Sequence, residues 1–466
     1  MSAWDCPWLE CAIAAPLLGA LCVGRVRDPI RAFRWGVVIT GTALAATVLA
    51  WIGFSVQGTT AGRGWLAVDE LSAPLVVLVA LLHFLTALAT ARTKMRRFSL
   101  AWSLTSESIR LATFACKEPW LLIGLLVAGT VTPYVELVNR GKPTRVYVLH
   151  MLLFAGLLIL GWAFVDSAGA HQEQTALATI PLLLAVLVRC GTVPAHCWVT
   201  DWFEHASFGN SLLFVAPLTG VYAAVRLVLP IAPDWVLEGI GLISLITAVY
   251  AACMACVQRE TRRFFAYLFL SHASLVLVGL ELVTPVSLTG ALSLWISVAL
   301  SLGGLALTLR ALEARFGRLS LANFHGLYDH SPMLAMCFLL TGLASVGFPG
   351  TMGYIATELL VDGAVGANPF AGLAIVMAAA INGIAVVRAY LLLFTGARRA
   401  STVSLRVGPR ERFAVLTLMG LLLIGGVFPQ WSVASRHRAA EQILRERDQR
   451  LSILGSVSPP PERMGG

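Results

Sequence analysis

Apolar stretches of roughly 17 to 25 residues recur from one end of this chain to the other, each long enough to cross about 30 Å of hydrocarbon as a helix. The recurrence leaves few folds open, because inside lipid every backbone N–H and C=O must find a partner within the protein. Of 466 residues, 58% are hydrophobic and only 13% charged, with a mean hydropathy of +0.79. The expected fold is therefore all-α: a polytopic helical membrane protein with about fourteen transmembrane helices. The expected spans are 8–24, 35–56, 71–91, 98–115, 119–138, 146–166, 175–203, 209–230, 235–256, 264–284, 287–309, 333–361, 370–396 and 413–431. The fourth, carrying Ser99, Ser103, Thr105, Ser106, Glu107, Ser108 and Arg110, is too polar for lipid and calls for shielding by other helices.

The net charge of +9 and pI near 9.3 raise the question of nucleic acid, and the placement of the charges answers it. Arg25, Arg27, Arg31 and Arg34 follow the first span, Arg92, Lys94, Arg96 and Arg97 the third, and Arg140, Lys142 and Arg145 the fifth. Arg259, Arg262 and Arg263 follow the ninth, Arg310, Arg315 and Arg318 the eleventh, and Arg398, Arg399, Arg406, Arg410 and Arg412 the thirteenth. All these loops fall on one side, while the alternate loops hold Asp69, Glu70, Asp166, Glu173, Asp234, Glu238 and Asp362. By the positive-inside rule the basic loops are cytoplasmic and both termini outside, so the charge is topology and no nucleic-acid partner is expected. The opening MSAWDCPWLE has neither a basic n-region nor a small-residue cleavage site, so no removable signal peptide is expected. Cys253 and Cys256 form a CxxC in an apolar helix and are read as buried thiols. Cys190, His196, Cys197, Asp201 and His205 match no compact zinc spacing, so no metal is expected.

Two spans are interrupted. The seventh runs apolar from Ile180 to Val188 and then breaks in RCGTVPAHCWVTD, around Gly191 and Pro194; the twelfth breaks in GFPGTMGYIATELL, around Pro349 and Gly350. They lie five spans apart, at equivalent places in helices four to eight and nine to thirteen, the pattern of a transporter built from inverted repeats. This divides the chain into 1–97 (helices one to three), 98–230 (first repeat), 231–397 (second repeat), 398–431 (last loop and helix fourteen) and a tail, 432–466, expected to form a short helix followed by disorder.

Four ionisable groups stand out inside the apolar spans or at their breaks: Arg189 with His196, then His272, then Glu358. A proton path needs side chains that take and release a proton; His272 and Glu358 qualify, whereas Arg189 keeps its proton and acts as a fixed field or an anchor for the unwound segment. The plainer alternatives are a helix-to-helix hydrogen bond for His272, a pairing of Glu358 with Arg388, mutual neutralisation of Glu107 and Arg110 three residues apart, and satisfied core roles for His83 and His150.

RCGTVPAHCWVTD resembles the K-x-P-x-x-P-x-H-x-W-L-P-D segment of the antiporter-like subunits of respiratory complex I and of multisubunit sodium/proton antiporters. Gly220, Tyr222 and Arg226 fit that family's G-x-Y-x-x-x-R, and Gln258, Glu260, Arg262, Arg263, Ala266, Tyr267, Ser271 and His272 fit its Q-x-D-x-K-R-x-x-A-Y-S-S-x-S-H. GFPGTMGY resembles its G-x-P-G-T-x-x-F break, and the likeness covers roughly residues 66 to 397. The resemblance implies two inverted five-helix repeats and a central polar axis that moves protons. It puts Arg189 where the family has the lysine of the broken seventh helix, His272 at the histidine of the S-H pair, and the twelfth-helix station at Thr357 or Glu358. The departures are equally specific. The fifth-helix glutamate falls near Ala128 and the eighth-helix lysine at Leu218, which leaves Glu107 or Glu136 to take the acidic role or the first half without the family's conduction.

The expected function is that of a proton-translocating, or sodium-translocating, antiporter-like membrane subunit of a multi-protein complex in the inner (plasma) membrane. Its pathway residues are His272, Glu358, Arg189, His196, Arg262, Arg263, Glu107 and Arg388. No cofactor is expected, since no nucleotide, flavin, haem or iron–sulfur pattern is present, and the chain is not expected to be an enzyme by itself. Two alternatives stand: an energy-coupling subunit for a partner such as a membrane-bound hydrogenase or an inorganic-carbon uptake system, and a non-conducting scaffold.

Overall fold

The computed structural model describes residues 7–57, 64–91, 99–168, 172–216, 218–397 and 407–456. The segment MSAWDC, the basic residues Arg92, Lys94, Arg96, Arg97, Arg398, Arg399 and Arg406, and the closing PPPERMGG lie outside these. The described residues form helices and two isolated β-bridges, Leu66 with Cys116 and Glu260 with Ser320. In chain order the helices are α1 (Trp8–Arg25), α2 (Pro29–Gln57), α3 (Ser72–Leu88), α4 (Leu100–Ala115), α5 (Pro119–Ala128), α6 (Val131–Asn139), α7 (Arg145–Ala168), α8 (Gln172–Cys190), α9 (Cys197–His205), α10 (Phe208–Val215) and α11 (Thr219–Ala223). A π turn, Ala224–Val228, extends α11; then follow α12 (Asp234–Val257), α13 (Thr261–Glu281), α14 (Pro285–Phe316), α15 (Pro332–Ser345), α16 (Met352–Ala367), α17 (Pro369–Phe394), α18 (Pro409–Val427) and α19 (Pro429–Ser456).

The helix boundaries follow local chemistry. Proline opens α5, α14, α15, α17 and α18, where its missing N–H costs nothing and its fixed φ suits the first turn. Glu118 accepts from the Leu121 N–H at 2.6 Å to cap α5, and Thr284 with Ser287 forms a reciprocal capping box on α14. Gly317, at φ +76°, ends α14 in a conformation that a side chain disfavours.

Burial sorts the helices into an inner and an outer set. α13 and α14 are enclosed almost all round, with Trp295, Phe264 and Phe265 among the largest fully buried side chains. α4 is enclosed as well: Ser103, Ser106, Glu107, Ser108 and Arg110 are all buried, and α1 and α3 pack along it. α1, α2, α7, α12 and α17 present their apolar side chains outward, Leu149, Leu152, Leu242, Leu373 and Ile384 among them, as a lipid-facing surface requires.

The helices match the expected spans unevenly. Among the described residues nine helical segments, or ten if the bent α18–α19 pair counts, have the length and composition to cross a membrane unaided. The expected spans that fall short of crossing unaided are α3, an unbroken but 17-residue helix, the polar α4, the two interrupted spans and the last span, which counts only together with the helix beyond its bend. The span expected over 413–431 stops at Val427, because Phe428 leaves the helical region and Pro429 starts a new helix at 83° to the old one. That helix, α19, runs 28 residues where a short one was expected. Its Arg436, 1% exposed, donates to the Glu70 and Leu71 carbonyls, and Arg447 donates to the carbonyls of Leu229 and Ala232 at 2.6 and 2.8 Å and pairs with Asp234. α19 therefore lies across the end of the bundle that carries the acidic loops. The CxxC thiols are not both buried: Cys253 points out of the bundle and Cys256 is half-buried, since i and i+3 straddle the edge of the packed face of α12.

Candidate ion-pathway site

The seventh span unwinds where the sequence places glycine and proline. Gly191 takes φ +72°, and a β-carbon there would lie 2.7 Å from the Val199 side chain, so the turn needs glycine twice over. The backbone groups freed by the break are met locally. Trp198 Nε1–H donates to the Val188 carbonyl at 2.8 Å, the Thr192 hydroxyl to the Leu187 carbonyl, and the Val193 N–H to the Thr247 hydroxyl at 3.0 Å.

Arg189, in the last turn of α8, is 6% exposed. Its Nη2 donates to the Thr219 hydroxyl at 2.8 Å and its guanidinium lies 4.3 Å from the Phe214 ring centroid and 5.5 Å from that of Trp198, while Nε finds no acceptor among the described residues. The approach to α11 depends on Gly220, where a β-carbon would sit 2.6 Å from Cys190 Sγ and 3.1 Å from Arg189 Cγ. The rest of that motif is a latch. Tyr222 donates to the Phe114 carbonyl at 2.9 Å, Arg226 donates to the Tyr222 hydroxyl, and its Nη2 meets Asp69 at 2.6 Å. Burial pushes the Asp69 carboxyl up, but Arg226 and the Ser72 N–H outweigh it and hold the carboxyl below its usual range. His196 does not join Arg189. It is half-buried at the edge, packed against Tyr250 and Tyr267 with Nε2 3.5 Å from the Tyr250 hydroxyl.

Next to Arg189 lies a group that sequence reasoning did not assemble. Arg110 of α4, 4% exposed, bonds through Nη1 to Ser106 and, at 3.2 Å, to Nε2 of the fully buried His83. Since Nδ1 of His83 faces the Val79 carbonyl at 2.9 Å, the proton belongs on Nδ1 and Nε2 accepts from the arginine. Glu107 makes no hydrogen bond or ion pair with Arg110. Both its carboxylate oxygens are buried without a partner, because Arg110 turns to Ser106 and His83 instead. Glu136 is committed elsewhere, accepting from Arg140, the Ser207 N–H and Asn210.

In the second half the twelfth span stops at Ser345 and resumes at Met352, with Gly347 and Gly350 at φ +87° and +82°. A β-carbon at Gly353 would lie 1.9 Å from the Ala344 carbonyl oxygen, so α16 starts in direct contact with the end of α15. His272 on α13, 1% exposed, sits against this break with Nδ1 2.7 Å from the Leu268 carbonyl and Nε2 2.8 Å from the Ser345 carbonyl. Both neighbours are pure acceptors. A neutral imidazole has one N–H and bonds one of them, whereas an imidazolium bonds both, so this site has a use for a second proton. Beside it Asn382 donates to the Ser271 hydroxyl, which donates to the Ala248 carbonyl, both at 2.8 Å.

The remaining expected pathway residues are dispersed. Glu358 is exposed on the outer face of α16 and makes no hydrogen bond or ion pair with the described residues; Arg388 donates instead to the Gln258 carbonyl at 3.3 Å. Their anticipated pairing is absent because the half-buried Arg388 turns to Gln258 while Glu358 faces out of the bundle. Arg262 is clamped by a bidentate pair with Glu313, both bonds 2.7 Å, and by the Phe203 and Ala206 carbonyls, while Arg263 pairs with Glu204. Among the described residues no three His, Cys, Asp or Glu side chains gather where they could hold a metal ion.

Interrupted helices inside an enclosed apolar bundle, with buried ionisable side chains beside the breaks, define a polytopic membrane protein of the antiporter-like class. The chain belongs to the family described as NADH:quinone oxidoreductase/Mrp antiporter, TM, whose model matches residues 148–382. It is 28% identical over 412 residues to NADH-quinone oxidoreductase subunit 13 of Thermus thermophilus, covering 82% of this chain and 86% of that one. Its fold is similar to a chain of the Mrp complex from Dietzia sp., with a TM-score of 0.85 at 18% identity over 98% of this chain and 100% of that chain. It is also similar to a chain of respiratory complex I from Thermus thermophilus with bound NADH, with a TM-score of 0.83 at 22% identity over 94% and 99% of the two chains.

Proposed function

We propose that this chain is a proton-translocating subunit of a multi-subunit complex in the inner membrane, with about fourteen membrane crossings, basic loops cytoplasmic and both termini outside. Its two inverted repeats cover residues 98–230 and 231–397, and the proton moves through the second. The observation that carries the reading is His272: a titratable ring, closed off from solvent, set between the Leu268 carbonyl and the free Ser345 carbonyl at a helix break. Gaining a proton adds a hydrogen bond to the broken helix and losing it removes one, which ties proton occupancy to the geometry of the break. Glu358, exposed on α16, is costly against lipid, so its carboxylate faces a neighbouring membrane subunit and passes the proton across that boundary. Arg189 sets the field at the first break and carries no mobile proton.

A second reading has support in the first half. With arginines at 110 and 189, leucine at 218 and no acid at 128, that repeat lacks the family's proton stations and keeps only Glu107 as an unpartnered buried acid, which favours a subunit that supplies ion flux to a partner over one that runs a full two-repeat pathway. Such partners include a membrane-bound hydrogenase or an inorganic-carbon uptake component. A non-conducting scaffold is the remaining outcome.

The test is flux in liposomes containing the chain with its partner subunits, read with a pH-sensitive dye inside and, in parallel, a sodium-sensitive one. His272→Ala and Glu358→Gln are expected to abolish proton flux without loss of assembly. Unaltered flux in both variants refutes the pathway, and absence of flux in the unmodified complex leaves the scaffold reading.

A further inference from the structure

A cavity of about 650 Å³ enters the first half of the molecule from the end that carries the basic loops, between α4, α6, α9 and α10. Ser99, Arg140 and Lys142 line its mouth; Arg110 and Trp202 line it further in. Arg110 stands eleven residues along α4 from Ser99, about 16 Å at 1.5 Å per residue, so the cavity reaches roughly half-way through the hydrocarbon.

The inner wall offers donors with nothing to donate to. Arg110 makes all its bonds through Nη1, leaving Nε and Nη2 without a partner among the described residues. The Trp202 indole N–H, on a side chain 1% exposed, also finds no acceptor. An orphaned buried N–H costs about 1–3 kcal/mol, so the Trp202 indole calls for an acceptor, and the unpartnered edge of the Arg110 guanidinium on the same cavity wall offers that acceptor a charge.

The charge balance calls for the same thing. The one acid lining the cavity, Glu136, is saturated by Arg140, Ser207 and Asn210, leaving Arg110 and Lys142 unmatched. Behind the Phe214 ring, whose centroid lies 5.8 Å from the Arg110 guanidinium and 4.3 Å from that of Arg189, sits a second buried cation. Even an ionised Glu107 offsets only one of these two arginines. A passage with an arginine at its end and surplus positive charge along it repels protons and sodium and concentrates anions.

We infer that this cavity is a binding site for a small monovalent anion, a halide or a compact oxyanion of bicarbonate size, held between the free edge of the Arg110 guanidinium and the Trp202 indole N–H. Lys142 at the mouth raises its local concentration. With Glu107 ionised, one of the two buried arginine charges is left uncompensated, which matches a monovalent ion, and the small size follows from the two donors that must reach it together. The site does not depend on the proton pathway and survives if His272 carries no proton.

The test uses the purified full chain, or its complex, at constant pH and ionic strength. Sodium gluconate, too large for the donor pair, is replaced stepwise by chloride in one arm and by bicarbonate in another, and the thermal unfolding midpoint and tryptophan emission are followed. Saturable stabilisation is expected in at least one arm, with the lower half-saturation naming the physiological ion. Arg110→Met is expected to raise that half-saturation at least ten-fold, and Lys142→Gln by a few-fold. Equal stability in gluconate, chloride and bicarbonate overturns the site, as does unchanged half-saturation in Arg110→Met. Should Arg110→Met fail to fold, Trp202→Phe keeps the ring and removes only the donor. It is expected to weaken binding several-fold, and bromide soaked into the protein is expected to give anomalous density beside residue 110. An unweakened Trp202→Phe together with an empty bromide map overturns the proposal equally.

Discussion

Asp69→Asn isolates the latch that ties the loop before α3 to the end of the eighth span. The Asp69 and Arg226 side chains are 4% and 15% exposed, and their charged atoms meet at 2.6 Å. At an effective dielectric near 20 a pair about 4 Å between charge centres is worth about 4 kcal/mol, and removing one partner of a buried pair costs about 3–5 kcal/mol because the other is left uncompensated. Asparagine keeps the shape and an acceptor for the Ser72 N–H, so the expected loss is about 3 kcal/mol, at the lower end of that range. The assay is a double-mutant cycle with Arg226→Met, measured as resistance to unfolding in mixed detergent micelles. The double variant is expected to be more stable than the sum of the single losses by at least about 2 kcal/mol, whereas losses that add to within about 0.5 kcal/mol would refute the pairing. The pH dependence has a definite sign. The folded carboxyl is held below its ordinary range, so the advantage of the unmodified protein over Asp69→Asn is fully present above about pH 4 and is lost as the pH falls through the folded value. An advantage that declines between pH 8 and pH 5 would assign the effect to another group.

Three further outcomes follow from the packing. Arg262→Lys cannot reproduce the fork that holds both Glu313 oxygens and the Phe203 and Ala206 carbonyls, so it is expected to cost about 2–3 kcal/mol, read in the same micelle assay, and to be little affected by salt. Gly220→Ala puts a methyl 2.6 Å from Cys190 Sγ and is expected to destabilise by about 1–3 kcal/mol, whereas Gly124→Ala, which meets nothing within 4 Å, is expected to be neutral. Arg447→Met removes the donor that holds α19 to the Leu229 and Ala232 carbonyls, and limited trypsin digestion at Arg438 and Arg445 is expected to speed up several-fold while the bundle stays intact.

The helical elements were readable because their signals are local. Apolar runs longer than a soluble helix needs, prolines at first turns, and glycines at positions such as 191, 347 and 350 report on the backbone within a few residues. The polar fourth span called for shielding on composition alone, and α4 is enclosed. The motifs also marked where the breaks lie and which residues stand beside them. They did not say what those residues touch. His272 could be singled out as titratable, yet its informative partner is the Ser345 carbonyl, and a backbone oxygen carries no residue-type signal. Glu107 and Arg110 share a helical face at the right spacing for a pair, but the nearer Ser106 and His83 claim the guanidinium. Glu358 has the right chemistry, and only the packing of α16 turns it outward.

The same division explains the two halves of the molecule. Length, hydropathy and punctuation are properties of contiguous chain, and the solvent they are matched to is the bilayer, so membrane insertion, helix positions and helix breaks were written in linear order. The meeting of Arg110, Trp202 and Phe214 around one cavity with His83 bonded to Arg110, the clamp of Arg262 on Glu313, and the anchoring of α19 through Arg436 and Arg447 join residues from separate helices. Their partners are chosen by which side chains tertiary packing brings within about 3 Å, a condition that no local pattern encodes.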